Sequence, residues 1–182
     1  MTPELDVVTN PSFLTDLAAR DMDEVRAVRT RCQSLENSLS YVRRLIQGRV
    51  DIVGGELQRR RDGGETGDTA ELIGRLPDIL SEGSRTQGGP GSVRPPHSLS
   101  PDPEVTAQLE RMLDDVIAAD ALGAISELGD DDLRAGLDKL SELEDRVSRS
   151  RRSLHTVIDT VQAEVTRRYT SGEATIDGLL SS

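Results

Sequence analysis

Aromatic side chains are nearly missing from this sequence. Phe13, Tyr41 and Tyr169 are the only three in 182 residues, and there is no tryptophan. A compact globular core of this size normally leans on large rings. Long helices that share a narrow seam of Leu, Val and Ile do not need them. Cysteine occurs once, as Cys32, which excludes an intramolecular disulfide and makes a reducing cytosol the expected compartment. No apolar run approaches the roughly 18 residues of a membrane span, and the acidic start MTPELDVV is not that of a signal peptide. Strand-like alternation of apolar and polar residues is missing too. The expectation is an all-α protein, cytoplasmic and without a membrane partner.

Lysine is almost absent as well. Lys139 is the only one, so the cationic charge is nearly all arginine. The net charge of −11 is unevenly spread. Residues 26–61 carry nine Arg against Glu36, Asp51 and Glu56, and residues 133–168 carry eight basic and six acidic groups. Residues 62–132, between them, carry four Arg and sixteen acids. An acidic protein binds nucleic acid poorly, so no direct DNA contact is expected. A local arginine-rich site still suits a small anion.

What is present is a heptad pattern, twice. Val25, Val28, Cys32, Leu35, Leu39, Val42, Ile46 and Val53 follow one another in steps of 3, 4, 3, 4, 3, 4 and 7. Leu133, Leu140, Leu143, Val147, Leu154, Val157 and Val161 keep the same phase 108 positions later, with Gly136 and Ser150 interrupting the seam. Such spacing predicts two coiled-coil helices, over 21–61 and 129–170. Acid clusters suited to helix starts precede each one, RDMDE and GDDD, and RRRDGGETGD and YTSGE end them. Residues 1–20 form an N-terminal segment, with a short helix or docking element expected over 10–19. Residues 62–102 read as a disordered acidic linker, interrupted by the apolar patch ELIGRLPDIL at 71–80. Residues 103–128 hold an amphipathic helix, expected to run from 103 to about 122, with Leu109, Met112, Leu113, Val116 and Ile117 on one face. Residues 171–182 form a tail.

Aligning 31–61 on 139–169 gives ten identities in thirty-one positions, at 35, 36, 40, 43, 44, 51, 53, 56, 59 and 60 of the first copy. Unrelated residues at ordinary frequencies would give about two. Shared coiled-coil ancestry explains matched seams. It does not explain why polar positions match better than apolar ones. Glu36, Ser40, Arg43, Gln47 and Asp51 recur as Glu144, Ser148, Arg151, His155 and Asp159. At about 100° per residue, each set falls within an arc of about 80°, one polar stripe beside the seam. If the helices pair antiparallel, a local two-fold axis relates the stripes, which suits a two-fold-symmetric ligand.

The residue types narrow that ligand. Arginine offers a planar fork to guanine O6 and N7 or to phosphate. A carboxylate accepts from the N–H groups of guanine, and Ser and Gln donate to phosphate oxygens. Arg44 and Arg152, also matched, suit phosphate contact and a solvated helix face equally well.

The spacing E-x3-S-x2-R-x3-Q-x3-D resembles the signature of the RsiG family of actinobacterial anti-sigma factors. The resemblance covers both helices, about half the chain. It implies a long antiparallel helical hairpin that binds a dimer of cyclic di-GMP and, with it, a sporulation sigma factor of the WhiG type. Carried over position by position, the ligand-binding residues are Glu36, Ser40, Arg43, Gln47, Asp51, Glu144, Ser148, Arg151, His155 and Asp159. The second copy departs once: His155 stands where Gln is the rule, and imidazole can still donate one hydrogen bond.

Catalysis is not expected. GGEL at Gly54–Leu57 is similar to a turn of enzymes that make cyclic di-GMP, but that turn needs a β-hairpin and here it lies in a heptad helix. His97 and His155 lie in the linker and on the stripe, and Cys32 sits at a seam position. They supply no metal-ligand set and no nucleophile–base pair, so no cofactor is expected. One other function class stays open, a coiled-coil adaptor or scaffold that takes no nucleotide.

Overall fold

A computed structural model describes residues 2–63 and 100–173. Every regular element among them is helical. Helix α1 spans Pro3–Val8, and two 3-10 turns follow at Pro11–Leu14 and Leu17–Ala19. The long helix α2 spans Met22–Arg61. Helix α3 spans Pro103–Asp114, a 3-10 turn covers Ile125–Glu127, and the second long helix, α4, spans Asp130–Ser171. The expected disordered linker and its apolar patch fall almost wholly outside the described residues, as does most of the expected tail.

The caps explain the boundaries. Asp21 and Glu24 form a capping box at the start of α2: Glu24 N–H donates to Asp21 Oδ1 at 2.8 Å, and Asp21 N–H donates to Glu24 Oε2 at 3.0 Å. Helix α4 opens on Asp130, Asp131 and Asp132, whose charge complements the helix dipole. Just past the two long helices, Gly63 and Gly172 adopt φ values of 79° and 78°. This left-handed conformation is the usual helix stop, and it favours glycine.

The long helices pass through two compact units and pair antiparallel in each. One unit holds residues 2–41, 100–109 and 146–173. Its core is Val25, Cys32, Leu35 and Leu39 against Val147, Leu154, Val157, Val161 and Val165, with Leu5, Val8 and Leu17 from the N-terminal elements. The other holds 42–63 and 110–145. Its core is Val42, Ile46, Val53 and Leu57 against Leu133, Leu140 and Leu143, with Leu113, Ile117 and Ile125 added. All the expected seam residues are buried except Val28, which is half-buried.

Each unit contains the same clamp. In the second, Glu56 is fully buried and accepts from Arg59 Nε at 2.8 Å and Arg60 Nε at 2.7 Å. The rest of the Arg60 guanidinium reaches the Leu128 carbonyl at 2.8 Å, Ile125 and Ser126 carbonyls at 3.2 and 3.1 Å, and Asp130 at 2.8 Å. It thereby ties the 3-10 turn that leads into α4. In the first unit Glu164 accepts from Arg167 and Arg168. Arg168 donates to the carbonyls of Arg20, Leu17 and Ala18 at 2.8, 3.0 and 3.3 Å, tying the 3-10 turn that leads into α2. The two turns lie 108 positions apart, and so do the starts of the two long helices. The internal repeat thus begins at Leu17 and Ile125, well before the stretch where residue identities reveal it.

One expectation needs correction and another is refined. The α-helix of the 103–128 segment stops at Asp114, not near 122. Arg49 of α2 holds the chain where that helix ends: Nη1 donates to Leu113 O at 3.1 Å and to Ile117 O, while Nη2 meets Asp114 at 2.6 Å. The chain turns there and sends Ile117 onto Gly136 of α4, where a Cβ would stand 2.6 Å from Ile117 Cδ1. That packing is why glycine interrupts the seam. Near the N-terminus the α-helix lies at Pro3–Val8, where Thr2 caps it and Pro3 starts it, and residues 10–19 form the two 3-10 turns instead.

Candidate functional site

In each unit, taken by itself, the stripe residues of α2 lie on one side of that helix and its contacts with the short elements lie on another. On α2 the residues that hold the short elements include Arg31, Ser34, Ser38, Arg49 and Arg60, about 160–240° around the helix from Glu36. Ser38 is fully buried. Its Oγ accepts from Asp102 N–H at 2.8 Å and Thr106 Oγ1 at 3.0 Å, and Ser34 Oγ donates to Ser100 O at 2.9 Å. Asp102 also caps α3, accepting from Val105 N–H at 2.9 Å. Arg31 meets Glu4 of α1 at 2.7 Å. Among the described residues these contacts use the face of α2 opposite the stripe.

In the first unit the stripe brings four of its residues onto one oxygen. Glu36 Oε1 accepts from Arg151 Nε at 2.8 Å and from Ser40 Oγ at 2.7 Å, and His155 Nε2 lies 3.5 Å away. Burial pushes the Glu36 carboxyl up, but the bonds from Arg151 and Ser40 outweigh it and hold the group below the usual carboxylate range. Ser148 is half-buried and Asp159 is exposed. In the second unit Arg43 Nε donates to Glu144 Oε1 at 2.8 Å. Gln47 is half-buried and Asp51 is exposed.

The pairing is reciprocal: the Glu of each motif copy meets the Arg of the other. Antiparallel packing of a 108-residue repeat produces this pairing, because the residue numbers of each pair add to the same total. Arg43 and Arg151 are both about one third exposed, at 33% and 36% of the side chain. Each guanidinium uses Nε for its carboxylate. A guanidinium fixed to a carboxylate keeps its planar orientation on the helix face. Arg44 and Arg152 are exposed.

The sequence marked all ten residues but not the contacts that orient their helices. The Glu56–Arg59–Arg60 and Glu164–Arg167–Arg168 sets stood among the identities at 56, 59 and 60, and that match was the available signal. Ser38 and Arg49 gave none, since each acts on a segment distant in the chain, and Gly136 was marked only as a break in the seam. Among the described residues no cluster of His, Cys, Asp and Glu could hold a metal ion, and no helix is long and apolar enough to cross a membrane.

Two segments of the chain, 11–80 and 119–182, match a family model described as RsiG-like. The residues outside the match, 1–10 and 81–118, contain α1 and α3. No curated protein matches the chain.

Proposed function

The chain belongs to the RsiG-like family, and on that premise we propose that it is an anti-sigma factor governed by cyclic di-GMP. The family points to a regulatory anti-sigma role with a sigma factor as partner, and not to an enzyme. The finer reading is that the two motif copies bind a dimer of cyclic di-GMP, and that the loaded protein sequesters a sporulation sigma factor of the WhiG type in the cytoplasm of an actinobacterium.

The observation that carries this reading is the reciprocal pair, Glu36 with Arg151 and Arg43 with Glu144. Equivalent residues of both copies take equivalent contacts, and on α2 they lie opposite the contacts with the short elements. A ligand built of two like halves meets like groups on α2 and α4. Arg43 and Arg151 supply charge and fork geometry for guanine or phosphate. Ser40 and Ser148 supply hydroxyl donors. Asp51 and Asp159, exposed and ionic, suit the N–H edge that distinguishes guanine from adenine.

Nucleotide and sigma factor then strengthen each other's binding. Linkage makes this coupling mutual: a nucleotide that tightens sigma binding binds tighter itself in the sigma complex. The phosphates also change the sign of the surface that the partner meets. High cyclic di-GMP holds the sigma factor away from polymerase, and a fall releases it. The test is capture of the sigma factor by the immobilised chain at low and saturating cyclic di-GMP, with the Arg43→Ala, Arg151→Ala double variant as control. Nucleotide-dependent capture by the wild type alone supports the reading. Equal capture in every condition favours the nucleotide-independent scaffold.

A further inference from the structure

The two motif copies differ in chemistry at one position, Gln47 in α2 against His155 in α4. A glutamine amide is neutral at every pH relevant to a protein. An imidazole changes charge between about pH 5 and 8. His155 is exposed, and its Nε2 lies 3.5 Å from Glu36 Oε1, the oxygen that already accepts from Arg151 and Ser40. The charged groups that face it are Glu36 and, on the same face of α2, Arg29, with Arg151, Arg152 and Asp159 within about one turn on its own helix. We propose that His155 makes nucleotide binding by this chain proton-dependent, tightening it as the imidazole gains charge. The proposal rests on the nucleotide reading above and adds a second input to it.

With a neutral imidazole, Glu36 and Arg151 cancel, and the carboxylate holds the arginine at 2.8 Å. An imidazolium beside the same oxygen competes with Arg151 for it and leaves the cluster with a positive excess. Arg151 is then freer to turn toward a phosphodiester or a guanine edge, and the anionic ligand meets a more favourable field. Glu36 does not erase the gain by taking up the proton itself, because its neighbours keep its carboxyl ionised below the usual range. Asp159 stays exposed and offsets the new charge only through solvent. At the matching place in the other copy Gln47 has no charge to gain, so the two halves of the site respond unequally to pH. One added charge near a half-exposed anion site, at moderate salt, corresponds to about a threefold to tenfold gain in affinity.

The test is the Kd of the full chain for cyclic di-GMP at constant ionic strength between pH 8 and pH 5.5. Three proteins are compared: the wild type, His155→Gln and His155→Lys. The expected result is a wild-type affinity that rises about threefold to tenfold toward pH 5.5. His155→Gln should bind with a flat profile at the weaker level. His155→Lys, charged throughout, should bind with a flat profile at the tighter level. Parallel profiles for wild type and His155→Gln would overturn the proposal while leaving the nucleotide reading in place. Failure of all three to bind at every pH would overturn that reading and this proposal together.

Discussion

Arg151 of α4 donates to Glu36 of α2 at 2.8 Å, and it does so through Nε. Arg43 treats Glu144 in the same way. Both arginines stand beside the hydrophobic seam and not in it, so their loss should spare the fold. Partly exposed ion pairs of this kind contribute about 0–1 kcal/mol each. For ligand binding the cost is larger, about 1–3 kcal/mol for each fork removed. The Arg43→Ala, Arg151→Ala double variant should therefore lose cyclic di-GMP binding and keep its helicity. Circular dichroism and a nucleotide titration on the same sample check both halves. Unchanged affinity would defeat the site assignment.

The clamps behave in the opposite way. Arg60 and Arg168 are largely buried, and each holds backbone carbonyls together with a carboxylate. Truncating either to Ala removes the donors to those carbonyls while the carboxylates keep Arg59 or Arg167, which should cost about 1–3 kcal/mol of stability. Lysine cannot reproduce a fork that serves several carbonyls, so Arg168→Lys should recover little. Urea unfolding of the two Ala variants and Arg168→Lys measures this. A loss below about 1 kcal/mol in both Ala variants would show that the 3-10 turns hold without them.

Stability should fall in acid, in a window set by the same clamps. Bonds from Arg167 and Arg168 lower the Glu164 carboxyl to about 2, and bonds from Arg59 and Arg60 outweigh burial to lower Glu56. An acid lowered on folding contributes stability that is present above its unfolded value, about 4.3, and is lost as pH falls through its folded value. The expected signature is a decline in melting temperature from about pH 4.5 downward. Glu164→Gln should start lower at pH 7 and decline less steeply. Identical slopes for the two proteins would remove Glu164 from the account.

Gly136→Ala should destabilise despite the better helix propensity of alanine, worth about 1 kcal/mol. The added Cβ meets Ile117 Cδ1 at 2.6 Å. Ile117→Val deletes that methyl, so the cost of Gly136→Ala should shrink or vanish in the Val background. A thermodynamic double-mutant cycle reads the coupling directly. Additive effects would mean that Ile117 does not sit on Gly136.

Cys32 should resist alkylation. Burial in the seam pushes its thiol up to about 11, so little thiolate exists at neutral pH and little of it is reachable. Maleimide labelling at pH 7.5 should be slow in the native chain and rapid in urea. Fast native labelling would indicate that this part of the seam opens.

The parts of the molecule that were legible in the sequence share a cause. Heptad spacing depends on the helix repeat alone, so the seam from Val25 to Val53 and its partner from Leu133 to Val161 emerged intact. Capping is equally local, and RDMDE and GDDD marked the helix starts. The motif emerged because it occurs twice. What did not emerge depends on segments that meet only after folding. The amphipathic pattern continues through Val116 and Ile117, yet the helix ends at Asp114, because Arg49 and Gly136 receive the turned chain. Ser38 is fully buried under the start of α3, and nothing local in the sequence marks it. The reciprocal Glu–Arg contacts required the antiparallel register, which spacing permitted without requiring.

The central claim is that the duplicated motif binds cyclic di-GMP and couples it to a sigma factor. Isothermal titration of cyclic di-GMP into the chain, with and without the sigma factor, tests it most directly. The account expects two nucleotides per chain, no response to GMP or cyclic di-AMP, a tighter Kd with the sigma factor present, and loss of binding in the Arg43→Ala, Arg151→Ala variant. No binding of cyclic di-GMP in either condition, or a Kd indifferent to the sigma factor, would contradict it.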